Sequence, residues 1–186
     1  MIVQLAGLPG SGKSSLAAEL VRRLGSRALL LDKDRIRHAL FGPEHTLYTL
    51  EQDDFCVVMM LRTAAWQLRH APGCVVIFDG RTCSRAYQVV QVRQFATRIR
   101  QPLRLIECVC ADATIEQRLC DGAHLAANRN FQLYRQLQAS ADPIPEPKLR
   151  LNTEQPLHEC ADRALYYVNL PLPTDPDRGE HIGTNT

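Results

Sequence analysis

The chain reads as an α/β domain, a parallel sheet with helices on both faces. Near-continuous apolar runs occupy residues 2–6, 28–31, 74–78 and 103–110, with a short fifth at 148–151. Such runs suit strands covered on both sides. Each is followed by a segment with apolar residues at helical spacing, the crossover that parallel neighbours require. A Gly-rich turn also sits between the first strand and the first helix, at residues 7–14. A length of 186 residues leaves room for one domain and a short tail.

The elements follow in order. The strand at 2–6 enters the Gly-rich turn, and a helix over 13–24 stops at Gly25-Ser26. The strand at 28–31 leads into Asp32-Lys33-Asp34-Arg35-Ile36-Arg37, whose second half opens a helix. Residues 38–50, with Gly42-Pro43, are expected as a loop. A long helix over 51–70 carries Phe55, Val58, Met59, Arg62, Ala65 and Trp66 at helical spacing, so Trp66 and the Met59-Met60 pair are assigned to the core. Pro72-Gly73 turns the chain into the strand at 74–78, which ends at Asp79-Gly80. A helix over 84–100 precedes Pro102 and the strand at 103–110, and helices over 113–119 and 125–139 follow. Pro143, Pro145 and Pro147 impose an extended linker before the strand at 148–151 and a last helix over 156–168. Residues 170–186 hold three prolines and little to bury, and are expected to be a disordered tail after a domain spanning 1–169.

Composition narrows the function classes. The chain is 45% hydrophobic and 23% charged, with a formal net charge of +2. That balance argues against a long electrostatic nucleic-acid track. Of its 22 basic residues 19 are Arg and 3 Lys, an excess that phosphate recognition and compositional bias explain equally. No run of 18 apolar residues exists, so no membrane span is expected, and MIVQLAGLPGSGK does not read as a secretory signal. Seven scattered Cys point to a reducing, cytoplasmic setting. Cys108-Val-Cys110 is the one close pair and has no second pair or flanking His, so these are expected as thiols rather than zinc ligands.

Gly7-Leu8-Pro9-Gly10-Ser11-Gly12-Lys13-Ser14 satisfies G-x-x-x-x-G-K-[ST] at every defined position. Glycines let the backbone curl round a phosphate with its N–H groups inward. Lys13 is the charge for the β- and γ-phosphates and Ser14 a ligand for Mg²⁺. The helix that starts there, with Ser15 in its first turn, adds free N–H groups and a positive dipole end. ATP and Mg²⁺ are therefore the expected ligands.

In a sheet of this type the ligand crevice lies at the carboxyl ends of the strands. Asp32 and Asp34 close the second strand, and Asp34 and Arg37 share one helix face. Asp34 is either a general base for a substrate hydroxyl or a helix cap, and which of Asp32 and Asp34 is the base stays open. Asp79 ends the third strand, where a phosphate-loop protein commonly orients Mg²⁺ or its waters.

With GLPGSGKSSLA at 7–17, DRIR at 34–37, VVIFDGRT at 75–82 and IEQRL at 115–119, the chain resembles the small-molecule and polynucleotide kinases of the P-loop class. This is the branch with an AAA-type ATP-binding domain that holds bacteriophage polynucleotide kinase, chloramphenicol phosphotransferase and zeta toxins. The resemblance runs from residue 1 to about 168. It implies a P-loop NTPase fold with five parallel strands in order 2-3-1-4-5 and a small helical lid at about 113–139. It also implies that Asp34 is the general base, that Arg37 contacts substrate phosphate or the transition state, and that Arg118 is the first lid arginine. Relatives often repeat an Arg about four residues on. Here Gly122 stands there, and Arg129, helped by Asn128, is the nearest substitute. Arg81 and Arg85 would sit on the substrate side or on the surface, and His124 lies next to the lid.

The expected activity is phosphotransfer from Mg·ATP to a hydroxyl of a small molecule or a polynucleotide end. The alternative is a regulatory or non-catalytic nucleotide-binding protein. A GTPase switch would need an N-K-x-D element, which does not occur in the chain.

Overall fold

The computed structural model describes residues 1–121, 130–145 and 147–171. Strands β1 (Ile2–Ala6), β2 (Ala28–Asp32), β3 (Val75–Asp79), β4 (Leu103–Val109) and β5 (Leu149–Asn152) pair in the order β2-β3-β1-β4-β5, every neighbour parallel. The helices are α1 (Lys13–Leu24), α2 (Lys33–Phe41), α3 (Leu50–His70), α4 (Ala86–Arg98), α5 (Asp112–Asp121), α6 (Phe131–Ala139) and α7 (Leu157–Asn169).

The sheet separates two cores because successive strand side chains alternate between its faces. Val3 and Leu5 of β1 pack with Leu16, Ala17 and Leu20 of α1 and with Cys160, Ala161, Ala164 and Val168 of α7. Ile2, one residue out of phase, packs on the other face with Val57, Met60, Leu61, Ala64 and Leu68 of α3 and with Val92, Phe95 and Ala96 of α4. β1 lies in the middle of the sheet, with every residue buried. The phosphate loop therefore leaves from the stiffest part of the sheet. At its far edge, buried Arg104 of β4 lies under the Tyr167 ring at 5.1 Å and donates to the Leu170 carbonyl, tying the end of α7 to the sheet.

Several boundaries differ from the sequence expectation. The first half of the expected loop at 38–50 is helical, because α2 runs on to Phe41 and stops at Gly42, whose φ of +61° suits a glycine. α2 also starts earlier, at Lys33, because Asp32 caps it: its carboxylate accepts from the N–H groups of Asp34 and Arg35. The core face of α3 is corrected. The buried stripe is Cys56, Val57, Met60, Leu61, Ala64 and Leu68, whereas Phe55, Val58 and Trp66 are exposed, Trp66 at 56%, stacked on His70 at 4.2 Å. Residues 55–61 are apolar all round the helix, so periodicity alone could not choose the inward side. α4 begins at Ala86 rather than 84, with the Gln88 side chain accepting from the Arg85 N–H. The expected helix at 125–139 is described from Phe131, its first residues and most of the expected tail lying outside the described residues.

Candidate active site

The loop between β1 and α1 is shaped as its spelling demands. Gly7, Gly10 and Gly12 have φ of +137°, +81° and +82°, which side chains with a Cβ rarely adopt. A Cβ on Gly7 would come within 2.4 Å of the Cys108 carbonyl oxygen, and one on Gly10 within 2.9 Å of Ile115 Cγ2. Gly12 caps α1 with no side-chain bond, so the first-turn N–H groups stay available to an anion. The buried Lys13 lies across the loop, its ammonium donating to the Leu8 carbonyl at 3.0 Å and to Ser11 Oγ at 3.4 Å. Ser14 and Ser15 are exposed at the helix start.

Thr153, just past β5, holds the loop from the side, and nothing in the sequence marks it. Its N–H donates to the Val109 carbonyl at 2.9 Å and its hydroxyl to the Ser11 carbonyl at 2.9 Å. Arg118 of α5 donates to Thr153 Oγ1 at 3.0 Å and to the Thr153 carbonyl at 2.7 Å, with a longer contact to the Gly10 carbonyl at 3.4 Å. The guanidinium thus lies against the phosphate loop, on a cleft of about 700 Å³ lined also by Gly12–Leu16, Gln155 and Leu157. Arg129, Asn128 and His124 lie outside the described residues.

A second cleft, of about 350 Å³, brings Pro9, Lys13 and Ser14 of the loop together with Asp34, Arg37, Tyr48 and Arg85. Asp32 and Asp34 part company here. Asp32 is occupied with capping and does not line this cleft; burial, reinforced by the charge of Asp79, pushes its carboxyl above the usual range. Asp79 is its neighbour because β2 and β3 end in register, Asp32 opposite Asp79. Asp34 receives Arg37 Nη1 on Oδ1 at 2.6 Å and Lys33 Nζ at 3.5 Å, while its Oδ2 has no partner among the described residues.

Arg37 is a buried clamp. Its side chain is 3% exposed, bridges Asp34 to Asp53 of α3, and lies 5.2 Å from the Tyr48 ring centre. Lys33 closes the set, with Nζ 2.7 Å from Asp53 Oδ2. Burial pulls the Lys33 ammonium below the ordinary lysine range, against the pull of the Asp34 charge. The DRIR spacing marked Asp34 and Arg37, but Lys33 and Asp53 passed unnoticed. Asp53 sits sixteen residues beyond Arg37 on another helix, and only the packing of α2 on α3 brings it in.

The two further arginines separate. Arg81 is buried between α3 and α4, bonded to Gln91 Oε1 at 2.7 Å and paired with Asp54. Arg85 lines the 350 Å³ cleft, with its guanidinium held by the Ser140 carbonyl at 2.6 Å.

The oxygen donors present suit Mg²⁺, a hard cation. Asp79 is 1% exposed and its Oδ1 is buried without a hydrogen-bond partner, while the Ser14 hydroxyl stands exposed at the start of α1. A buried carboxylate oxygen left unpaired is costly unless a cation or ordered water meets it. The thiols are a different matter. Burial pushes Cys83 up to about 11 and Cys108 up to about 12, so both stay protonated at neutral pH. No described helix is long and apolar enough to cross a membrane.

A family model described as an AAA domain matches residues 2–140. No curated protein sequence matches the chain. Solved structures do. A candidate kinase from Chloroflexus aurantiacus is 19% identical with a TM-score of 0.67, covering 89% of this chain and 97% of its own. The APS kinase CysC of Mycobacterium tuberculosis, in complex with AMPPNP and APS, is 22% identical with a TM-score of 0.63, covering 90% and 96%. Kti12 of Chaetomium thermophilum, with ADP-AlF3, is 14% identical with a TM-score of 0.64, covering 90% and 99%. At such identities the likeness is one of fold, and the fold is that of the P-loop kinases.

Proposed function

The chain belongs to the AAA domain family, and from that premise we propose that it is an ATP-dependent phosphotransferase moving the γ-phosphate of Mg·ATP to a hydroxyl of a small molecule or a polynucleotide end. The observation that carries this reading is the 350 Å³ cleft, where the phosphate-holding Lys13 and Ser14 share one space with Asp34. A nucleotide-binding module has no need of a carboxylate there; a transferase has.

In this reading the first-turn N–H groups of α1 and the loop backbone hold the β- and γ-phosphates. Lys13 leaves its internal bonds to Leu8 and Ser11 to meet them. Ser14 and Asp79 would hold Mg²⁺, which when bound neutralises charge on the phosphate oxygens. Asp34 Oδ2 takes the acceptor's hydroxyl proton as its oxygen bonds to the γ-phosphorus. The bond from that phosphorus to the β,γ-bridging oxygen breaks, and ADP leaves. Arg37 fixes the carboxylate by holding Oδ1, so that Oδ2 is presented in one orientation. Arg118, and Arg129 with it, stabilise the charge that spreads over the transferring group.

The test is transfer of label from γ-labelled ATP into a metabolite pool with 5′-hydroxyl oligonucleotides added, for the parent and Asp34→Asn. Loss of a general base should cut transfer by about 10²–10⁴-fold while ATP affinity stays within threefold. Equal transfer by both proteins would remove Asp34 from its role. ATP binding without transfer to any acceptor would favour the nucleotide-binding module.

A further inference from the structure

Charge accounting in the 350 Å³ cleft goes further, resting on the phosphotransferase reading above. Four cations line it: Lys13, Lys33, Arg37 and Arg85. Lys13 belongs to the phosphate loop. Lys33 and Arg37 are matched one for one by Asp34 and Asp53, within 2.7 Å for the closest contact of Lys33 and 2.6 Å for Arg37 to Asp34. Arg85 has no carboxylate partner among the described residues. Its printed bonds go to the carbonyl and hydroxyl of Ser140, at 2.6 and 3.4 Å. A guanidinium carries five N–H donors, so three remain without a partner among the described residues. The nearby Asp142 carboxylate is committed elsewhere, to the backbone N–H of Ala86 at 2.8 Å.

The rest of the wall is apolar: Tyr48, Leu50, Leu133 and Leu137 line the same cleft as Arg85 and Asp34. A volume of about 350 Å³ is at the low end of ligand sites, the size of a sugar or a nucleoside rather than a polymer end with its neighbours. A planar cation with free donors, set in a small cleft with an apolar wall, matches a carboxylate, sulfate or phosphate on a compact molecule.

We propose that the acceptor is a small hydroxyl compound carrying one anionic group, which Arg85 grips while Asp34 meets the hydroxyl. The positive charge left over in the cleft then balances the acceptor rather than the nucleotide.

The experiment measures transfer from γ-labelled ATP to matched pairs: glycerol and glycerate, ribose and ribose 5-phosphate, glucose and glucose 6-sulfate, with a 5′-hydroxyl oligonucleotide alongside. At least one anionic member should exceed its neutral partner tenfold or more in kcat/KM. Which anion does so separates carboxylate from phosphate and sulfate. Arg85→Gln should raise the KM of that member ten- to a hundredfold, the span of one charge-assisted bond. Its kcat and the ATP affinity should stay within threefold, and Arg85→Lys should recover part of the loss. Transfer that favours neutral members or the oligonucleotide, or a KM untouched by Arg85→Gln, would overturn the inference while leaving the phosphotransferase reading standing. Folded protein that binds ATP yet labels no member would count against both.

Discussion

Replacing Arg37 by Met separates a buried clamp from a substrate-gripping arginine. Arg37 is 3% exposed and is held by Asp34 at 2.6 Å and by Asp53. Removing one partner of a buried ion pair costs about 3–5 kcal/mol, because the remaining charge loses its compensation. Two carboxylates are left behind here, but Lys33 stands 2.7 Å from Asp53 and 3.5 Å from Asp34 and can take up part of the load. The loss of the Tyr48 contact at 5.2 Å adds about 0.5–1 kcal/mol. The net expectation is about 3–4 kcal/mol, which for a domain of this size lowers Tm by about 6–16 °C. Thermal unfolding followed by far-ultraviolet circular dichroism reads this directly. Adding Asp53→Asn to Arg37→Met should return part of the lost stability, since it removes one stranded charge. A Tm within 2 °C of the parent would refute the clamp. An arginine that merely grips substrate would leave Tm alone and raise only the acceptor KM.

Two further outcomes follow from the same structure. Gly7→Ala places a Cβ 2.4 Å from the Cys108 carbonyl at a φ of +137°. It should cost about 1–3 kcal/mol of stability and abolish ATP binding by calorimetry, whereas Gly73→Ala, where a Cβ meets nothing within 4 Å, should do neither. Burial and the bond to Asp112 push the Tyr134 hydroxyl up to about 12 from its ordinary 10. Its folded pKa is raised, so its contribution is complete below pH 10 and is lost as the pH climbs through 12. Urea unfolding between pH 10 and 12 should show that decline in the parent and lose it in Tyr134→Phe.

The sheet and the phosphate loop were legible because their signals are local. Gly7, Gly10 and Gly12 each answer to a backbone conformation that neighbouring residues impose, and apolar runs such as Val75–Phe78 speak for themselves. Asp34 and Arg37 were legible as a pair because one helical turn joins them. Their meaning was not: Arg37 is buried only because Asp53 arrives from α3 to share it, and no spacing rule reaches across that distance. Trp66 misled for the opposite reason, since too much apolar surface surrounds α3 for a period to single out one face. Asp32 was hard to tell from Asp34 until its carboxylate was seen spent on the first N–H groups of α2.

Thr153 sets a temporal order on the making of this protein. Its hydroxyl binds Ser11 across 142 positions of chain, and it also receives Arg118. A ribosome adding about 5–20 residues per second therefore exposes the glycine-rich turn roughly 7–30 s before the residue that steadies it exists. Until then α1 can form on β1, but the turn has no outer support and Arg118 no seat. The oldest motif on the nascent chain is thus among the last to become rigid, and a nucleotide offered early meets a site still open along one side.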